Sequence, residues 1–191
     1  MNYEIVPTTE YPQIIPATIE DYPTIQNMAR FYVYDMSREC GPHYPGWECP
    51  ENGLFECDDL KSYFEDPTRK AYLIKINGER AGFVLINHLD ILPSEFNMGE
   101  FFVLAKFQRK GIATQVARKV FDLHRGTWSV GAIPMNKRAL SFWRQVIGDY
   151  TCGVYKEREY PIEELITQEH PDPYPMIIMT FDSRHESHVT E

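Results

Sequence analysis

Apolar residues recur along this chain with two different periods, and the alternation between them sets the order of its elements. Ile14 to Thr18 is a short apolar-rich segment that predicts a first strand. Thr18-Ile-Glu-Asp21 then gives a helix N-cap with an acid three residues on. Ile25, Met28, Ala29, Tyr32 and Val33 follow at helical spacing, with Pro23 near the start, where it is tolerated. Cys40 to Asn52 carries three prolines and two glycines and predicts a loop. Leu54, Leu60, Tyr63 and Phe64 suggest a short second helix that ends before Pro67.

Ala71–Ile76 and Ala81–Asn87 are strand-like, and Asn77-Gly78 between them is a strong hairpin signal. Phe96–Leu104 predicts another strand, whose continuous run Phe101 to Leu104 suits a central position buried on both faces. Gly111 to Arg125 is helical: Ile112, Val116, Val120 and Leu123 form one apolar row, with Ala113, Ala117 and Phe121 beside it. His124 and Arg125 fall in its last turn and Gly126 is the expected C-terminal cap. Trp128–Ile133 predicts a strand. Asn136 is then expected to cap a helix with Ala139, Phe142, Trp143, Val146 and Ile147 on one face and Gly148 at its end. Thr151–Tyr155 and Met176–Phe181 are the expected closing strands, and no internal repeat is present. This order predicts one α/β domain over 14–182, an N-terminal extension over 1–13, and a mobile tail over 183–191 in which His185 and His188 are solvated.

At 191 residues the chain can bury a substantial core. A formal charge of −9 and the lack of a basic run argue against a nucleic-acid partner, although a few local donors can still dominate one anion pocket. No apolar run approaches the roughly 18 residues of a membrane span, and Met1 to Ile15 lacks a signal pattern. A cytoplasmic protein without a membrane partner is expected. Cys40, Cys49, Cys57 and Cys152 form no C-x-x-C pair. Cys40, His43, Cys49 and Cys57 share one loop-like stretch and raise zinc as an alternative. Reduced cytosolic thiols are the reading taken, with no metal assigned.

The informative stretch is Gln108-Arg-Lys-Gly-Ile-Ala113, which follows the central strand and opens a helix. A helix N-terminus presents unpaired backbone N–H groups and a partial positive charge, a ready anion site. Gly111 lets a bulky pyrophosphate approach the backbone, Ala113 keeps the next position small, and Arg109 and Lys110 add charge. By itself this motif equally describes a glycine that merely opens a helix.

The pattern of Gln108, Gly111 and Ala113 between a strand and its helix resembles the pyrophosphate loop of the GNAT acyltransferase superfamily. Asn136-Lys-Arg-Ala139-Leu-Ser-Phe142-Trp143, with Gly148 further on, resembles that family's second CoA motif. Glu100-Phe-Phe-Val103, Gly126-Thr-Trp128 and the segment from Phe142 to Ile147 are also similar to a bacterial subgroup of predicted acetyltransferases. The likeness runs from about Ile15 to Phe181. It implies a mixed, mostly antiparallel central sheet, splayed in the middle, with helices on both faces. It also implies acetyl-CoA as co-substrate and acetyl transfer to an unidentified amine of a small molecule, peptide or protein in a ternary complex. A homodimer is an assembly left open.

By the same resemblance, acetyl-CoA meets the backbone of Phe102, Val103 and Leu104. It also meets Gln108, Arg109, Lys110, Gly111, Ile112, Ala113 and Thr114 of the loop, and Asn136 and Trp143 of the last helix. The acceptor amine, with a pKa near 10.4, is mostly protonated at pH 7 and needs a base. Glu100 is the best-placed carboxylate, and the apolar run after it suggests partial burial and a raised pKa. A solvent-facing strand-end carboxylate is the alternative. The Val103 N–H is the expected oxyanion donor. Trp143 stands where many family members have the Tyr that protonates the leaving thiolate, and an indole cannot do this. Tyr150, Tyr155, another group or water would have to serve, or the thiolate leaves unassisted. This departure keeps open a catalytically degenerate CoA-binding regulatory module. Seven acids between Glu48 and Asp66, against Lys61 alone, form either a solvated face or a lure for a cationic acceptor.

Overall fold

A computed structural model describes residues 11–166 and 174–184. His185, His188, most of the expected tail and most of the N-terminal extension lie outside the described residues. Seven strands form one sheet: β1 (Gln13–Pro16), β2 (Lys70–Ile76), β3 (Glu79–Asn87), β4 (Phe96–Val103), β5 (Thr127–Ala132), β6 (Lys156–Tyr160) and β7 (Met176–Asp182). Their order is β1-β2-β3-β4-β5-β7-β6. Only the β4–β5 pair is parallel; the other five neighbouring pairs run antiparallel. The helices are α1 (Tyr22–Cys40), α2 (Ser62–Glu65), α3 (Ile112–Leu123) and α4 (Lys137–Tyr150).

Alternation along the strands gives the sheet two apolar faces. On β2, Tyr72, Ile74 and Ile76 pack with the buried rows of α3 and α4, whereas Ala71 and Leu73 pack with Ile25, Met28 and Ala29 of α1 and Tyr63 of α2. The helices therefore lie on both faces. At the hairpin, Asn77 (φ 50°) and Gly78 (φ 80°) both take positive φ, as the sequence pair demands.

Three boundaries differ from the sequence reading. α3 stops at Leu123, and the His124 carbonyl accepts the Trp128 indole N–H (2.9 Å). Gly126 has no positive φ and caps nothing; it is small because a Cβ there would land 2.8 Å from the Glu95 carboxylate. α4 runs through Gly148 to Tyr150, and the chain reverses at Cys152 and Gly153, both at positive φ, where the Gly153 N–H returns to the Gly148 carbonyl (2.8 Å). The strand expected at Thr151–Tyr155 is thus a turn, and β6 follows at Lys156–Tyr160.

Candidate active site

The site forms where the sheet comes apart. β4 and β5 pair only over Phe96–Met98 and Trp128–Val130. Beyond that point β4 stays with β3 and β5 stays with β7, so the two central strands diverge. A buried polar chain holds the closed half together. Ser94 Oγ donates to Ser129 Oγ (2.9 Å), Ser129 Oγ to Asn97 Oδ1 (2.9 Å), and Asn97 Nδ2 to Asn87 Oδ1 (2.8 Å). Satisfied groups of this kind fix register at little cost, whereas an unpaired one would be expensive.

Gly99 is the point where β4 changes phase. Leu85 opposes Glu100 and Ile86 opposes Met98, which leaves Gly99 as the extra residue of a β-bulge. A Cβ at Gly99 would lie 2.2 Å from the Tyr63 hydroxyl, so the bulge residue has no room for a side chain. Before the bulge, Met98 faces α3 and α4; after it, Phe101 and Val103 do. Without the extra residue Glu100 would share the face of Met98. With it, Glu100 turns to the α1 side together with Phe102, whose ring packs on Tyr32 (centroids 5.8 Å apart).

Glu100 is thereby enclosed between β4 and α1, and what remains of its surface faces a cavity of about 320 Å³. Burial raises its carboxyl from 4.5 to about 7; a hydrogen bond from Tyr32 pulls the other way, and the neighbouring Asp58 pushes it up. Trp47, Met36, Tyr174, Met176 and Cys57 are among the other walls. The loop that carries Cys57 and Asp58 is tied to α1. Gln26 Nε2 donates to Cys57 Sγ (3.0 Å) and to the Asp58 carbonyl (2.9 Å), Gln26 Oε1 accepts from the Leu60 N–H (3.0 Å), and Arg30 donates to the Phe55 carbonyl (2.8 Å).

Of the seven acids between Glu48 and Asp66, Asp58 alone lines this cavity. Asp59 accepts from the Tyr22 hydroxyl and the Lys61 N–H, Asp66 from Thr68, and Glu65 pairs with Lys61. The cysteines are likewise dispersed: Cys40 is buried, Cys57 is bonded to Gln26 and Cys49 is exposed. Among the described residues no group of three or more His, Cys, Asp or Glu side chains is placed to hold a metal.

A second groove, of about 640 Å³, lies on the α3–α4 side of the opening. Gln108, Arg109, Ala113, Asn136 and Trp143 line it together with Lys137 and Arg138. Arg109 (φ 60°) and Gly111 (φ 73°) both sit in the left-handed region, and Gly111 is the residue from which α3 starts. Left-handed turns of this kind curl successive N–H groups toward one point. A Cβ on Gly111 would meet nothing within 4 Å, so the loop's outer side is open. Gln108 Nε2 donates to the Val103 carbonyl (2.8 Å), which ties the loop to β4, and its Oε1 accepts from Arg138 (3.4 Å). Asn136 Oδ1 accepts the Ala139 N–H (3.0 Å), so its capping role is real. Trp143 is buried against Phe101, Phe142 and Phe121 and forms a wall shared by the groove and the cavity.

The backbone of β4 needs one correction. The Leu104 N–H donates to the Ala81 carbonyl (2.8 Å) and its own carbonyl accepts from Phe107 (2.8 Å). Because antiparallel hydrogen bonding alternates, Phe102 also bonds toward β3, while Phe101 and Val103 turn their backbone groups into the opening. Neither Phe102 nor Leu104 offers backbone there; Val103 does, as expected. Tyr150 is also removed from candidacy as an acid at the opening. It donates to Asp122 (2.9 Å), burial and that bond raise its pKa, and it packs on Phe121 and Phe181. Tyr150 and Tyr155 line neither the cavity nor the groove. Tyr32 lines both. From sequence it reads as one more apolar position of α1, since only the bulge brings Glu100 beside it.

A cavity that encloses a carboxylate, opposite a groove that ends on an open glycine loop at a helix N-terminus, is the arrangement that the comparisons recognise. The acetyltransferase (GNAT) family model matches residues 31–148. The chain belongs to the GNAT acetyltransferase family. Solved structures agree on the fold. An acetyltransferase from Thermus thermophilus superposes with TM-score 0.57 at 13% identity, covering 90% of this chain and 97% of its own. A spermidine N-acetyltransferase variant from Vibrio cholerae gives TM-score 0.56 at 12% identity, with 90% and 94% covered. A GNAT acetyltransferase from Elizabethkingia anophelis, solved with acetyl-CoA bound, gives TM-score 0.51 at 16% identity, with 90% and 97% covered. No match is found among curated protein sequences. Among the described residues no helix is long and apolar enough to cross a membrane.

Proposed function

We propose that this GNAT protein is an acetyl-CoA-dependent N-acetyltransferase that acts directly on a primary amine, in the cytoplasm. The observation that carries the proposal is the position of Glu100, enclosed at the splay with a pKa near neutrality and one bulge away from the strand face that lines the groove. Acetyl-CoA fits the groove on this structure's own terms. Backbone N–H groups around Arg109 to Thr114 meet the pyrophosphate on the open side of Gly111, Arg109, Lys137 and Arg138 supply positive charge, and Trp143 walls the thioester end. The bound thioester provides an activated acetyl group. The amine enters from the cavity of Trp47, Tyr174 and Asp58.

Glu100 takes a proton from the ammonium, and the freed lone pair attacks the thioester carbon as the Val103 N–H donates to the developing oxyanion. A base must be deprotonated to act, so kcat/KM rises with pH through about 7. Glu100→Gln keeps the shape and removes the base; turnover falls about 10²-fold with acetyl-CoA affinity nearly intact. Full turnover in that variant across the pH range would refute the assignment. The second reading, a CoA-binding regulatory module, is favoured by Trp143 and by the sequestered Tyr150. It predicts CoA binding without CoA release when a broad amine panel is supplied.

A further inference from the structure

We propose that Tyr32 of α1 is a proton relay that carries the proton taken up by Glu100 to the sulfur of the leaving thiolate. The inference rests on the acetyltransferase reading and adds to it the group that Trp143 cannot supply. Three observations place it. Tyr32 lines both the acceptor cavity and the groove on the opposite side of the splay. Its hydroxyl donates to Glu100. Its ring is fixed against Phe102, on the same side of β4 as Glu100. The other hydroxyls named from sequence are absent from the site, Tyr150 being spent on Asp122.

The proton balance closes. Glu100 takes the first proton from the ammonium before attack. As the C–N bond forms and the C–S bond breaks, the Tyr32 hydroxyl proton passes to sulfur, and the Glu100 proton replaces it on the phenol oxygen. Tyr32 ends neutral, and Glu100 is a carboxylate again. It accepts the second proton from the product nitrogen and loses it to solvent. The net change is ammonium plus thioester to amide plus thiol plus one proton.

Tyr32 would be a poor acid by itself, since burial and the Glu100 charge hold its proton well above the usual phenol range. A relay is judged by its end points instead. The donor, Glu100, titrates at about 7, and the acceptor, a thiolate, near the cysteine value of about 8.5. Transfer therefore runs downhill. The other titratable groups that face Glu100 are Asp58 and Cys57 of the pinned loop; Cys40 and Tyr63 face Tyr32. None of these lines both the cavity and the groove.

The test is Tyr32→Phe, which keeps the ring on Phe102, alongside Glu100→Gln. CoA release is followed with acetyl-CoA and the fastest acceptor among 2-phenylethylamine, spermidine and a lysine peptide. The relay predicts a kcat about 10²-fold lower in Tyr32→Phe with an unchanged acetyl-CoA Kd. The acid limb of kcat/KM moves to higher pH, because the bond that lowers the Glu100 pKa is gone. A kcat within twofold of the wild type, with Glu100→Gln inactive, overturns the relay and leaves the acetyltransferase reading standing. A low kcat with an unmoved acid limb also overturns it, since a packing role predicts that result. Full activity of Glu100→Gln would remove the underlying reading itself.

Discussion

Glu100 is expected to be costly to the fold, and the cost can be measured without knowing the substrate. Its carboxyl titrates at about 7 in the folded chain against 4.5 for the ordinary group. Between those values the folded state holds more protons than the unfolded one, so stability falls as pH rises through that window. Below about 4.5 the penalty is absent; above about 7 it is complete. The displacement corresponds to about 3 kcal/mol, an upper figure because water in the cavity screens part of it. Glu100→Gln removes the charge and keeps an oxygen that can accept from Tyr32.

We expect this variant to be more stable than the wild type at pH 8.5 by about 2–3 kcal/mol, with the difference vanishing near pH 4.5. For a domain of this size that is a rise of roughly 4–12 °C in Tm at the alkaline end. Urea unfolding of both proteins at several pH values gives the comparison directly, with equal m values required. Equal stability at pH 8.5, or a difference that does not change with pH, would show that Glu100 is solvated in the folded chain. The argument for a near-neutral base would then fail.

Three further outcomes follow from the same geometry. Gly111→Val adds bulk on the open side of the loop and strain at φ 73°, and should cost acetyl-CoA at least about tenfold in affinity, or 1.4 kcal/mol, by calorimetry. Gly111→Asn tolerates the backbone angle, so comparing the two variants separates strain from obstruction. Asn136→Ala should lose about 1 kcal/mol of stability, whereas Asn136→Ser keeps the cap; a drop in acetyl-CoA affinity in the Ser variant would show a contact beyond capping. Asp58→Asn should move the acid limb of kcat/KM to lower pH and flatten the salt dependence for a cationic acceptor, while joint neutralisation of Glu56 and Asp59 leaves both unchanged. An equal response to both changes would return the acidic stretch to an ordinary solvated surface.

Most of the fold was legible because its signals are local. The Asn77-Gly78 turn, the apolar row of α3, the Asn136 cap and the glycine at the start of α3 each declare themselves within a few residues, and each stands where expected. The misplaced strand has a plain cause. β6 reads Lys-Glu-Arg-Glu-Tyr, with four exposed positions, and carries no apolar alternation. It is held by pairing with β7 and by the Arg144–Glu157 and Arg158–Glu164 ion pairs, which only the folded chain brings together. Gly148 and Gly126 read as helix stops because glycine usually is one, yet α4 tolerates the first and the second answers to Glu95. In the site, Glu100 and Val103 could be named from their place on the central strand. Tyr32 and Asp58 could not, since a bulge on β4 and the Gln26 side chain decide what stands beside Glu100.

The bulge at Gly99 has a consequence for how this strand tolerates change in length. Deletion of Gly99 would preserve composition, charge and every named site residue, yet it would exchange inside for outside along the rest of β4. Glu100 would be driven toward α3 and α4, and Phe101 toward α1. The two chemistries of the strand are thus addressed by parity, and one codon sets the address. Mutational scans of substitutions alone would rate the neighbourhood of Gly99 by the space around the Tyr63 hydroxyl. A scan of single-residue deletions should find a sharper boundary there, with losses confined to activity and cofactor binding when they fall on the far side of a compensating insertion downstream of Val103.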